Sequence, residues 1–281
     1  MPAALALLAA LLFGLALITT QFALRHMDGL AGAKVSITSS MILWWLLVTL
    51  QGLDGASATG VAIFAAAGLF FPVSVTLLAY AANRHLGPTI AGAIGSTAPL
   101  FAVVGAVVFL GERLGFTQVA AIIAIVAGSI VLSLRHGGEV KLTGAWISWC
   151  AAALRAIAQV VVKAGFAVWA NPYAAIVFGY TVSAAVIWLV GAASKRPESR
   201  IYSRRGVLWF WLTGLLNSFA LFVLYTALET GSVSVVSPIA ASYPLVTLAL
   251  NTLVLREERL TLRLFLGVAM MVGGVVALLL A

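Results

Sequence analysis

The sequence predicts an all-α, polytopic membrane protein of ten transmembrane helices, arranged as two inverted five-helix repeats. Three observations carry this. Hydrophobic residues make up 63% of the chain and charged residues only 9%, where a soluble domain carries roughly 25% charged. Apolar runs of about 20 residues, long enough to cross a bilayer as helices, recur from end to end. The second half of the chain also repeats landmarks of the first at a constant offset.

Taken in order, the spans are 3–24, 33–51, 58–83, 88–110, 115–134, 142–169, 172–193, 206–228, 232–255 and 262–280. No basic segment precedes Ala3, so the first run reads as a helix that stays, not as a cleaved leader. Pro88 suits the first turn of the fourth span. Most connections are short, which makes sequential helices antiparallel neighbours. The longest, "SKRPESRIYSRRG" at 194–206, joins spans seven and eight. Cys150 is the single cysteine, which excludes an internal disulfide and a cysteine-based metal cluster. The basic pI does not point to nucleic acid, because most cations fall in short loops, where they set topology.

The repeat is explicit. "LLAYAANRHLGPTIAGAIGSTAPLFAVVGAVVFLGERL" begins at Leu77, and "FVLYTALETGSVSVVSPIAASYPLVTLALNTLVLREERL" at Phe222. Tyr80 pairs with Tyr225, Ala82 with Ala227, Pro99 with Pro244 and Glu112 with Glu257, without a gap. A weaker echo links Gln21–Arg25 with Gln159–Lys163 through a Gln-x-x-x-basic pattern. The halves are therefore 1–136 and 137–281. Five spans each is an odd number, so one half lies upside down relative to the other. Inverted repeats place a site near the midplane and let it face either side in turn, which is a transporter architecture.

On these residues the chain resembles the drug/metabolite transporter superfamily and, within it, the EamA family. The resemblance covers essentially the whole chain. It rests on the duplicated five-span unit and on "PLFAVVGAVVFLGERL" and "PLVTLALNTLVLREERLT", which close the fourth span of each half. The second copy departs from the pattern in "REERLT", which replaces the glycine and adds a residue. The resemblance implies a cavity lined by spans one to four and six to nine, with five and ten as outer support. It also implies movement of small metabolites, often export of amino acids or related compounds.

The loops sort by charge. Odd-numbered loops hold Arg25, Lys34, Arg84, Arg135, Lys141, Lys195, Arg196, Arg200, Arg204, Arg205, Arg256, Arg259 and Arg263, and even-numbered loops hold only Arg113. By the positive-inside rule, odd loops are cytoplasmic and both termini lie outside, in a bacterial inner membrane. Many relatives are drawn the other way round; thirteen cations against one decide for the count.

All eight acids, namely Asp28, Asp54, Glu112, Glu139, Glu198, Glu229, Glu257 and Glu258, fall in loops or at span ends. Arg155 lies mid-span, where a charge costs at least about 2.5 kcal/mol, and this chain offers it no intramembrane acid. Three readings stay open. Arg155 faces a cavity and meets a carboxylate or phosphate on a substrate, which its planar fork matches; or it caps carbonyls of a broken helix; or it lies nearer an interface than the span suggests. Gln159 and Lys163 share its face. Lys163 either faces the cavity or snorkels to the interface. The missing embedded carboxylate argues against cationic drug efflux and proton antiport.

Other candidates are Gln21, as the counterpart of Gln159, with Thr20, Asn217, Ser96, Thr97, Ser242 and Tyr243. Pro99 and Pro244 each free a helical carbonyl that nearby small or hydroxyl residues could satisfy; they read as kinks that also line the site. Tyr80 and Tyr225 are interfacial anchors or gates. Spans five and ten carry almost no polar side chains, and Gly128 with Gly273–Gly274 permits close packing. The expectation is a secondary transporter, not an enzyme, with no catalytic residues, no metal and no cofactor. It would move small zwitterionic or anionic metabolites, most readily exporting amino acids. Alternatives are a transporter of organic phosphates or nucleotide sugars, and a lipid-linked headgroup translocase or assembly subunit. Its partners are a small-molecule substrate and the lipid bilayer, the protein being a monomer or a dimer through spans five and ten.

Overall fold

The computed structural model describes residues 1–133, 142–193, 203–250, 252 and 262–281, with side chains except at 80, 83, 84, 87–90, 92, 93, 133, 142 and 143. The helices are α1 (Pro2–Leu24), α2 (Gly29–Gln51), α3 (Ala58–Gly68), α4 (Val75–Gly95), α5 (Ala98–Leu110), α6 (Phe116–Ser133), α7 (Leu142–Phe166), α8 (Pro172–Ala193), α9 (Arg204–Thr230), α10 (Val233–Ala240), α11 (Tyr243–Leu250) and α12 (Leu262–Leu280). A π-helical turn at Leu69–Ser74 joins α3 to α4. Among the described residues, eight stretches are long and apolar enough to cross a membrane, and Ala98–Leu110 and Phe116–Leu132 are shorter apolar helices. The polytopic all-α architecture expected from the sequence is present. Local chemistry starts the helices where it should: Asp28, Ser57 and Asn171 accept hydrogen bonds from Leu30, Gly60 and Ala174 N–H, capping α2, α3 and α8.

The halves interlock. α1 packs chiefly on α9, and α7 on α3, α4 and α5, so the first helix of each half lies against the other half. α2 packs on α8, and α6 on α12. In the α6–α12 pair a Cβ added to Gly128 would sit 2.7 Å from Gly267 O, and one added to Gly274 2.8 Å from Ala121 O. The glycine faces of spans five and ten, read as supporting surfaces, are thus used by packing on each other.

Both proline sites are helix breaks, at corresponding places. α4 stops at Gly95 and α5 begins at Ala98, with Pro99 in its first turn. α10 stops at Ala240 and α11 begins at Tyr243, followed by Pro244. In the first break the Thr97 hydroxyl donates to Ile94 O at 2.7 Å, and in the second the Ser242 hydroxyl donates to Ile239 O at 2.7 Å. Ile94 O and Ile239 O also accept the backbone N–H of Thr97 and Ser242, each at 3.0 Å, so the hydroxyls add a second donor at each break. Thr97→Val and Ser242→Ala are each expected to cost about 1 kcal/mol, read as a fall of a few degrees in the melting temperature of the detergent-solubilised protein. An unchanged melting temperature in both would show that the backbone donors to these carbonyls suffice.

Two elements differ from the sequence reading. The loop expected at 84–87, between spans three and four, is helical, because α4 runs through it. Leu86 is buried with Ala82 and Ala91 and packs against Ile94 and Ile147. It fills the space left by Gly144 on α7, where a Cβ would lie 2.5 Å from Leu86 Cγ. Conversely, Pro72, which carries no clear signal in the sequence, marks a break. The Phe71–Pro72 peptide is cis, and Phe71 leaves helical geometry at φ −141°, ψ 135°. Ser183 donates to the freed Gly68 O at 2.7 Å and Ser74 to Leu69 O at 2.5 Å. Glu257 with the rest of "REERL", Asn251, the 194–202 part of the long connection and the boundary at 136–137 lie outside the described residues.

Candidate functional site

The three breaks converge on a cavity in two compartments. The smaller lies against Gly95, Ser96 and Pro99 of the first break, Ala240 and Ala241 of the second, and Leu221, Leu224 and Tyr225 of α9. The larger extends toward the odd-numbered loops between α1, α2, α4 and α9. Its wall is rich in hydroxyls: Thr20, Ser36, Ser40, Thr76, Tyr180 and Thr213, together with the Asn217 amide. Phe13, Phe71, Arg155 and Tyr243 line both compartments and so form the partition. Phe13 and Tyr243 meet edge-on at 6.4 Å between ring centroids.

Arg155 is the cation of this partition. It lies midway along α7, partly buried, with its guanidinium carbon 5.4 Å from the centre of the Phe71 ring. A ring face over a cation gives a contact of about 0.5–2 kcal/mol without neutralising the charge. The described residues offer Arg155 no ion pair. One turn on, Gln159 is buried in the wall of the smaller compartment.

Toward the even-numbered loops, two charged side chains pin the turn between α9 and α10. Gly111 ends α5 with φ +68°, a left-handed turn that suits glycine, and so aims Glu112 at the start of α10. The Glu112 carboxylate accepts from Val233 N–H at 2.8 Å, Ser234 N–H at 3.0 Å and the Ser234 hydroxyl. These amides are otherwise unsatisfied at a helix N-terminus, which also favours a negative charge. Lys163 donates to Leu228 O at 2.7 Å and Glu229 O at 3.3 Å, the last turn of α9, where a positive charge is favoured. Both ends of the α9–α10 turn are therefore pinned, one by the first half and one by α7.

The profile of the EamA-like transporter family matches residues 1–134 and again residues 142–280. The chain belongs to this family. An EamA-like transporter carries small molecules across a membrane, and that coarse function holds here. A solved crystal structure is similar to this EamA-like chain at TM-score 0.82 and 20% identity, covering 100% of this chain and 99% of the other. At that identity the likeness concerns the fold alone. A comparison with curated proteins finds no match.

Of the residues singled out in the sequence of this EamA-like transporter, the cavity brings together Arg155, Gln159, Ser96, Pro99, Tyr225, Tyr243, Thr20 and Asn217. It leaves out several others. Gln21 is exposed and lines neither compartment, so its likeness to Gln159 is one of spacing and not of place. Lys163 lines neither compartment and caps the last carbonyls of α9, a role of the kind weighed for Arg155. Thr97 and Ser242 turn back onto their own helices, and Pro244 lies behind Tyr243, outside the lining. The Tyr80 side chain lies outside the described residues. Sequence reasoning missed Phe13, Phe71 and Tyr180; Thr213, a mid-span hydroxyl suited to joining helices, lines the larger compartment and donates to the Thr19 hydroxyl at 2.9 Å. The signals that could have found them were the Phe-Pro dipeptide inside an apolar run and the hydroxyl cluster "SITSS" at 36–40 facing Thr213 and Asn217.

Proposed function

We propose that this EamA-like chain is a secondary transporter that binds small zwitterionic or anionic metabolites through Arg155, amino acids being the leading case, and moves them outward by alternating access. The observation that carries this is a mid-span guanidinium in the partition of a two-compartment cavity, held by a ring face and by no carboxylate among the described residues. A substrate carboxylate is the partner this geometry lacks. The engagement of Lys163 with the α9 carbonyls weighs against organic phosphates, which would call for a second cation in the cavity.

Orientation supports outward movement. Lys34 is buried in α2 and Arg84 lies within α4, so neither is a loop charge. Of the thirteen cations on the odd side, the remaining eleven still stand against Arg113 on the even side. On the positive-inside rule the larger compartment faces the cytoplasm of a bacterial inner membrane, both termini lie outside, and the side pinned by Glu112 and Lys163 is the outer one.

The test is counterflow uptake into proteoliposomes with a panel of labelled amino acids and phosphorylated sugars, for wild type and Arg155→Gln. Wild type is expected to move amino acids, and Arg155→Gln to lose roughly a hundredfold in uptake, the scale for removing one partner of a desolvated charge pair. Undiminished uptake by folded Arg155→Gln would place the anion elsewhere.

A further inference from the structure

Gln159 is 8% exposed, and its Oε1 meets no hydrogen-bond donor among the described residues. A buried acceptor left unpaired costs about 1–3 kcal/mol. Ser237 and Tyr225 bring hydroxyls to the same compartment, yet neither bonds this amide; Phe13, Phe71, Leu221 and Leu224 offer nothing that could. The amide is held on α7 one turn beyond Arg155, at the i, i+4 spacing that puts two side chains on one face. Among the described residues, a cation without a counter-anion and an acceptor without a donor thus stand side by side, in a compartment whose other walls are mostly apolar.

We infer that Gln159 is a specificity-determining residue: its carbonyl accepts a hydrogen bond from an N–H or O–H group that the ligand carries next to the anion bound by Arg155. The ligand class is then 2-amino and 2-hydroxy acids with an apolar side chain, which lies against Phe13, Phe71, Leu221 and Leu224. A plain carboxylic acid of the same shape satisfies Arg155 but leaves the amide unpaired, and is rejected. Sites built to hydrogen-bond a substrate group discriminate strongly against analogues that lack it. The inference rests on the assignment of the ligand's anion to Arg155.

The experiment takes the amino acid that wild type transports best from the panel above. Its labelled uptake is challenged with three unlabelled competitors: the same amino acid, its 2-hydroxy analogue and its des-amino analogue. For wild type, the first two are expected to compete and the third to be at least roughly a hundredfold weaker. Gln159→Met, which keeps length and loses the acceptor, is expected to narrow that gap to within about tenfold. The wild-type comparison stands alone should the variant not fold. Equal competition by all three in wild type overturns the inference and leaves Arg155 in place, provided Arg155→Gln still abolishes uptake. Undiminished discrimination by folded Gln159→Met overturns it too, since the donor is then read elsewhere. If no amino acid of the panel is moved, the amino-acid reading falls and this inference with it.

Discussion

Glu112→Ala is expected to lower the melting temperature of the solubilised protein by roughly 5–10 °C and to reduce transport. The substitution strands two backbone amides at the head of α10 and the Ser234 hydroxyl. Hydrogen bonds to a charged group are worth about 1.5–3 kcal/mol each, and relaxation of the turn recovers part of this. The temperature range follows at about 2–4 °C per kcal/mol for a chain of this size. Glu112→Gln should fall between, because its amide accepts one N–H but turns an NH2 group toward the other donors. Lys163→Met releases the neighbouring α9 carbonyls and should push in the same direction. Circular-dichroism melts with matched uptake assays decide it. A Glu112→Ala protein that melts and transports like wild type would mean that water or another side chain replaces the carboxylate.

The second large effect is steric. At the crossing of α3 and α8, a Cβ on Gly68 would lie 2.4 Å from Gly179 O and 2.8 Å from Gly179 Cα. These are backbone atoms, so the helices themselves must part. The same displacement would break the 2.7 Å bond from Ser183 to Gly68 O. Overpacking typically costs about 1–3 kcal/mol, and here a lost buried hydrogen bond adds to it. Gly68→Ala is expected to cut the yield of monodisperse protein by more than about half. Gly179→Ala, on the other side of the contact, meets nothing nearer than 3.8 Å and should be tolerated. Size-exclusion profiles of the two variants test this. Similar profiles for both would mean that α3 and α8 have room to separate.

What the sequence made legible, and what it did not, follows from the physics of each signal. Apolar run length reports a bilayer directly, so the spans were readable. A proline inside such a run breaks the helical ladder, so the breaks at Pro99 and Pro244 were readable too; the nearby hydroxyls bond Ile94 O and Ile239 O, one residue before the carbonyls these prolines free. Facing was not. Gln21 and Gln159 share a local pattern, but only the rotation of each helix against its neighbours decides which one borders the cavity. Glu112 stood out as a repeated landmark, yet its role depends on a helix start 121 residues away. The α4 joint at 84–87 was lost for a similar reason: its continuity comes from Leu86 packing at Gly144, across the halves.

The exchange of first helices has a consequence for how such a chain could have arisen. Because α1 lies on α9 and α7 lies on α3 to α5, a five-helix unit made alone leaves the docking face of its first helix bare and a groove of matching shape empty. The complement of that bare face is the groove of a second unit turned upside down. A single ancestral unit would thus have been driven to assemble in antiparallel pairs before any fusion joined them. Fusion then fixed the ratio of the two copies and let them diverge. One copy keeps the glycine that aims Glu112, and the other carries Arg155.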